Sequence, residues 1–407
     1  MHDKRPCKDI LNLTKIRNQT MNNTFKVAAV SSAALMIAAA PAMAQEGPTL
    51  RVGGYYDQKI SIQDQDSSAL VQSDVDVRND VEIYFLGSAQ LDNGIKISTR
   101  VELEGGTVGS GDVAADGGNN VNGGGTNYDQ IDEAFMTISG SFGSVKLGMS
   151  DTAAKGMTTG LQGTWASNVG ENITFNGGKL FVRPGTVTAR TTPAAQMDGN
   201  SDGEQISYTT PSFGGFQVSA GYAQNNRETF DGVTTAAQAA DGDILDIAAR
   251  YTGKIGDVGF KVGGGYMTAN EQTVGREDSA QWMVGGSVRI AAFQLAASYS
   301  RQVETETGAA ISIPEVDTLE LGVRAWMGPN EFSLSYLRSE ASSRTVSVDG
   351  DEESYIVAAM RRTLGKGVSW HNTLYYYNAE DGDSAPAAGA VTKNDGFAFT
   401  TGLRLGF

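Results

Sequence analysis

Alternation with a period of two runs through this 407-residue chain from Gln45 to its end. It restricts the chain to extended strands that show one face to an apolar medium and the other to a polar one. In residues 49–62, Leu50, Val52, Tyr56, Ile60 and Ile62 share a face, while Arg51, Tyr55, Asp57 and Lys59 share the other. Residues 81–91 oppose Val81, Ile83, Phe85, Ala89 and Leu91 to Glu82, Tyr84 and Ser88. Asp92-Asn93-Gly94 then makes a tight hairpin, because Asn-Gly tolerates the positive φ that such a turn requires. Beyond it, Ile95, Ile97, Val101 and Leu103 continue the apolar face, against Lys96, Ser98, Arg100, Glu102 and Glu104. A helix would scatter these apolar residues around its circumference.

Runs of this kind fall at 49–62, 81–91, 95–103, 131–138, 145–149, 205–210, 216–222, 244–251, 258–266, 282–290, 293–299, 319–327, 332–337, 355–362, 368–377 and 397–407. Their connections alternate in length. Short turns at 92–94, 139–144, 211–215, 253–257, 291–292, 328–330 and 365–367 are interleaved with long polar loops at 63–76, 105–129, 150–203, 224–243, 267–281, 300–317, 339–354 and 378–396. One end of the sheet therefore carries turns and the other carries loops, a polarity for which a soluble sandwich has no use. No stretch of 45–407 is long, apolar and uncharged, so strands rather than helices would carry this chain through a bilayer. The expected fold class is all-β: a transmembrane antiparallel β-barrel of about sixteen strands, wide enough to hold a water-filled channel. Tyr222, Tyr251, Tyr266, Tyr299 and Tyr336 stand at strand ends, where aromatic girdles form.

The amino end reads as an export signal. Lys26 supplies a positive n-region, residues 27–40 an apolar h-region and Ala42-Met43-Ala44 an A-x-A-like cleavage site, so 21–44 is a signal peptide and the mature chain begins at Gln45. Residues 1–20 are charged and unpatterned, which leaves Met1 and Met21 as alternative starts within a non-mature leader, 1–44. Removing the leader takes away Cys7 and His2 and leaves His371 alone. Basic residues then fall from 31 to 25 and acidic residues from 47 to 45, so the net charge moves from −16 to −20. A chain this acidic is no partner for nucleic acid. A lone histidine beside Trp370 gives weak support to a hydrolytic triad. Gly117-Gly118 and Gly123-Gly124-Gly125 lack the strand-to-helix junction and Lys of a phosphate loop. No enzyme is expected.

One stretch refuses the alternation. Residues 150–203 run for 54 positions with Pro184, Pro193 and a mixture of Gly, Thr, Asn and Ala. So long a connection has a place inside a hollow sheet, folded inward as a constriction loop. Parity along the strands turns Arg51, Lys96, Arg100, Lys146, Arg250, Lys261, Arg289, Arg324, Arg361 and Arg404 toward the same interior. Against this basic wall the loop offers Asp151, Glu171, Asp198 and Asp202, with Glu204 at its exit. Opposed charges across a narrow aqueous lumen set up a transverse field that orients dipolar solutes and penalises apolar ones. The excess of acid suggests a weak preference for cations. Acidic runs at 241–243 and 349–353 offer clustered oxygen ligands for Ca²⁺, though solvated loop tips are the simpler reading, and no cofactor is expected.

Three segments, 80–104 (DVEIYFLGSAQLDNGIKISTRVELE), 128–151 (YDQIDEAFMTISGSFGSVKLGMSD) and 202–222 (DGEQISYTTPSFGGFQVSAGY), resemble the porins of alphaproteobacteria, general-diffusion barrels of sixteen strands. The resemblance implies a homotrimer with the third long loop, 150–203, inside each lumen, and a basic cluster on the first strands facing that loop. It makes the terminal Phe407 an outer-membrane assembly signal. The implied function is passive diffusion of ions and small hydrophilic solutes across the bacterial outer membrane, among lipid and lipopolysaccharide. Two alternatives stay open: a solute-specific channel, with Tyr375, Tyr376 and Tyr377 as stacking surface, and a barrel acting as an adhesin or envelope anchor.

Overall fold

The alternation closes into a ring. A computed structural model describes residues 47–66, 73–105, 131–161, 180–184, 197, 199, 203–225, 241–271, 278–304, 315–342, 349–382 and 391–407. The strands are β1 (Thr49–Gln65), β2 (Val75–Gln90), β3 (Lys96–Glu104), β4 (Ala134–Gly140), β5 (Gly143–Met149), β6 (Glu204–Thr209), β7 (Phe216–Asn225), β8 (Asp241–Ile255), β9 (Val258–Glu271), β10 (Ser279–Ile290), β11 (Phe293–Glu304), β12 (Glu315–Met327), β13 (Asn330–Ser342), β14 (Asp349–Gly365), β15 (Val368–Glu380) and β16 (Lys393–Gly406). Each pairs antiparallel with its neighbours in sequence, and β1 pairs with β16, so the sixteen strands form a closed barrel. The leader expected at 1–44 lies outside the described residues.

The faces are inverted relative to a soluble protein. Leu50, Ile255, Leu295, Leu321, Leu334 and Leu405 stand exposed on the outer face, whereas Asp57, Lys59, Glu320 and Asp351 are buried on the inner one. Cross-strand register keeps the two sets apart: Val52 pairs with Phe85 on the outside, and Asp57 pairs with Arg404 and Asp80 on the inside. Such a surface is stable only where the surroundings are as apolar as the side chains, and there every backbone polar group must find its partner within the protein. The closed ladder supplies those partners.

Strand ends toward the long loops reach further than the hydrophobic pattern does. β2 begins at Val75, β12 at Glu315 and β14 at Asp349, inside stretches that alternation assigns to loops. The pattern reports contact with lipid, while ladder hydrogen bonds continue above it, so the sequence signal stops first. Two acidic runs read as loop tips therefore open strands β8 and β14. On β14, alternation divides the carboxylates: Asp351 and Glu353 are buried on the inner face, and Glu352 faces outward against Arg338 at 2.6 Å.

At the turn end, Gly94 has φ +83°, as the Asn-Gly hairpin requires. Gly367 has φ +73°, and a Cβ there would lie 2.3 Å from the Gly406 carbonyl oxygen, so the β14–β15 turn can pass under the last strand only as glycine. Phe407 closes the ring by donating its N–H to Gly54 O at 3.1 Å and accepting from Gly54 N at 3.0 Å.

Among the described residues of 150–203 is one short helix, α1 (Ala153–Thr158), which the alternation does not reveal. Thr152 caps it, accepting from Lys155 N at 3.0 Å. Ala154, Met157, Leu161 and Met197 form one apolar cluster with Ala223, Ile244, Ala248, Met267 and Met283, residues of inward parity on β7 to β10. Leu180 and Phe181 join a second cluster with Leu337, Tyr355, Tyr375 and Tyr377 on the inner faces of β13 to β15.

These faces make opposite demands. Leu321→Arg, on the outer face at the middle of β12, is expected to destabilise the barrel by about 2–4 kcal/mol. Gln294→Glu, of inward parity on β11 and set by the ladder beside Arg289 and Arg324, is expected to stay within about 0.5 kcal/mol. Urea unfolding midpoints in lipid vesicles measure both.

Candidate functional site

The inner wall is the candidate site, and its charges are held in pairs across neighbouring strands. On β2 and β3, Arg100 forms an ion pair with Glu102, lies 3.3 Å from Glu133 through Nε, and covers the Tyr84 ring at 4.4 Å. Tyr84 and Tyr55 both donate to Glu82, and Tyr55 also reaches Asp80 at 3.2 Å. Arg404 lies over the Tyr55 ring at 3.4 Å and faces Asp57 at 3.8 Å, which Lys59 approaches at 3.5 Å. A few side chains from β16, β1, β2 and β3 thus make one continuous charged sheet. Pairing of opposite charges offsets part of what their desolvation costs.

A second cluster occupies β10, β12, β13 and β14. Glu331 is buried between Arg324 and Arg361 and pairs with both. Arg324 and Arg289 also lie over Trp326, at 4.8 and 4.4 Å. Cation–π contact and a shared carboxylate fix the guanidinium groups against the wall instead of leaving them to sweep the lumen.

Loop segments are tied to the same wall. Asp246 of β8 accepts from Ala154 N at 2.6 Å, Ser219 of β7 donates to Ala153 O at 3.0 Å, and Arg250 donates to Met157 O at 3.2 Å. Farther round the ring, Gln65 of β1 donates to Leu180 O at 3.1 Å and accepts from Val182 N at 2.8 Å. Asn394 of β16 donates to Val182 O at 2.6 Å.

The expected site residues divide as follows. Arg100, Arg324 and Arg404 are in the clusters described, with wall carboxylates as their partners. Arg51 and Lys96 carry inward parity but sit exposed at the turn-end rim. Asp151, just before α1, pairs with Lys155 of that helix, and its N–H lies 3.4 Å from Glu133. Glu204 is the first residue of β6, pairs with Met149, and shares the outer face with Ile206 and Tyr208; even-numbered positions of that strand point away from the lumen. Glu171, Asp198 and Asp202 lie outside the described residues. Sequence reading missed Glu102, Glu133 and Glu331 as partners of the arginines. Parity gave each its face, but the pairing depends on register, which only the ladder fixes. Among the described residues, Glu82, Glu102 and Glu104 place carboxylate oxygens within 4.8 Å of one another, a grouping distinct from either acidic run. His371 faces inward with Nε2 2.7 Å from Ser369 Oγ.

A closed barrel, apolar outside and charged within, defines a membrane-spanning channel former. A family model described as Gram-negative porin matches residues 31–382, and the chain belongs to that family. Among solved structures it is similar to the anion-selective porin from Comamonas acidovorans, at 17% identity over 89% of this chain and 100% of that one, with a TM-score of 0.58. It is similar to a porin refined at 1.8 Å resolution, at 15% identity over 88% and 100% of the two chains, with a TM-score of 0.53. A third is OmpT, an outer membrane protein of Vibrio cholerae in its trimer form, at 12% identity over 89% and 100%, with a TM-score of 0.55. At these identities the likeness is one of fold. No curated protein matches the sequence. The protein is an outer-membrane porin channel and not an enzyme.

Glu331→Gln leaves two arginines sharing a neutral amide. It is expected to lower stability by about 1.5–3 kcal/mol, the usual worth of hydrogen bonds to charged groups. Arg362→Gln, exposed and of outward parity, is expected to move the urea midpoint little, and the Glu331→Gln/Arg361→Gln double variant should lose less than the sum of its parts.

Proposed function

We propose that this barrel passes ions and small hydrophilic solutes by general diffusion, with 150–203 acting as the constriction, and that it works as a homotrimer. The supporting observation is the pair of anchors on the inner wall. Helix α1 with Leu161 is seated around β8, and Leu180 with Phe181 around β15, seven strands away in a ring of sixteen. Two anchors on nearly opposite walls suit a segment that narrows the lumen. The homotrimer draws support from the resemblance to trimeric porins and from the trimer form of the Vibrio cholerae relative. Outer-membrane lipid and lipopolysaccharide are the partners that the apolar outer face suits, and cleavage between Ala44 and Gln45 delivers the chain there.

Selectivity follows from wall charge. The Comamonas acidovorans relative is anion-selective, but at 17% identity its wall is not this one. Here the segment from Gln45 onward has 45 acidic against 25 basic residues, which favours a weak preference for cations. A solute-specific channel finds less support. Phe181 stacks on Tyr377 at 4.9 Å, and both rings contact Tyr355, so these aromatic faces hold the loop and are not free for a sugar. Tyr376 points outward and meets Phe397 at 4.9 Å.

Planar-bilayer recording tests the reading. Linear, unsaturable conductance with a small cation-directed reversal potential is expected; block by one solute would favour the specific channel, and a silent barrel would overturn diffusion altogether. Deleting 163–176 is expected to raise single-channel conductance, and an unchanged value would remove this segment from the constriction.

A further inference from the structure

The inner wall is sorted along its axis as well as around it. Three strands show the same order independently. On β8, Asp246 lies toward the loop end and Arg250 toward the turn end. On β12 the order is Glu320 then Arg324, and on β14 it is Glu353 then Arg361. All six residues have inward parity. Strand β3, which runs the other way, keeps the rule: Lys96 begins it at the turn end, and Glu102 and Glu104 close it at the loop end. Lys146, Lys261 and Arg289 also stand within four positions of their turns.

Residues that break the pattern are locally neutralised. Glu331, near a turn, is held between Arg324 and Arg361, which leaves one net positive charge there; Asp57, turn-ward of Lys59 on β1, pairs with Lys59 and Arg404; and Arg78, near a loop, lies 3.8 Å from Asp76. Asp246 and Arg250 are four positions apart along the strand, about 13 Å of extended chain. That exceeds the screening length of about 10 Å at 0.1 M salt, so the two ends act on ions separately.

We propose that the lumen is polarised end to end, with a basic mouth at the turn side that gathers small polyanions and an acidic mouth at the loop side that gathers cations, so that ionic current through it rectifies. A mouth of one sign raises the local concentration of its counter-ion, and two mouths of opposite sign in series fill or empty the channel according to the direction of the field. The turn-side mouth would take compact phosphate-rich anions. This rests on the diffusion reading and adds a direction to it.

Single channels recorded in symmetric KCl test it. At about 0.1 M, currents at opposite polarities are expected to differ by roughly two-fold or more, and near 1 M, where screening falls to about 3 Å, the ratio should approach unity. Tripolyphosphate added to one side only should reduce current at several-fold lower concentration than from the other side. In Lys261→Gln/Arg289→Gln both asymmetries should shrink. Should that variant fail to assemble, the wild-type recordings decide alone. A conducting barrel with symmetric currents at low salt and equal tripolyphosphate response from both sides overturns the polarised lumen while leaving general diffusion intact; a barrel that does not conduct overturns both.

Discussion

Everything in this structure depends on satisfying backbone hydrogen bonds where no water is available. Within hydrocarbon, an open sheet edge would leave a row of N–H and C=O groups unpaired, each costing several kcal/mol, on the order of the whole stability of a domain. The pairing of β1 with β16 removes the edge, and the chain terminus is part of the closure through Phe407 and Gly54. Once the ring is closed, side chains have only two destinations. Period-two alternation then becomes a partition between lipid and water instead of between core and solvent.

The inner wall that results is a difficult environment of its own. Asp57, Lys59 and Glu320 are almost wholly buried there, so each charge has to be compensated by neighbours. Arginine suits this role because its planar group meets a carboxylate on one edge and an aromatic ring on its face, as Arg100 does with Glu102 and Tyr84. The described parts of 150–203 meet the wall in another way, with apolar contacts around α1 and around Phe181 backed by hydrogen bonds between wall side chains and their main chain. Main-chain recognition of this kind tolerates changes in the sequence of the segment it holds.

Strand existence was legible because sixteen runs carried the same period, and each found its element. Strand length was not. Val75 and Val77 still alternate, but beyond them the pattern fades into polar residues that remain paired in the ladder, and hydrophobicity carries no information about a hydrogen bond made in water. Helix α1 escaped because six residues, AAKGMT, give too short a window for a 3.6-residue period to declare itself. The faces of Arg100, Arg324 and Arg404 followed from parity, whereas their partners required register. Glu204 shows how sharp that limit is: one position along the strand exchanges lumen for lipid.

The same physics explains how a barrel can be shared at 12–17% identity. Closure asks of each position only whether it faces in or out, a binary demand that many sequences meet. Wall charge is not constrained by closure, provided each buried group is compensated locally. An anion-selective relative and a strongly acidic chain can therefore occupy one fold, and the charge arrangement on the inner wall becomes the variable through which channels of this family are made to differ.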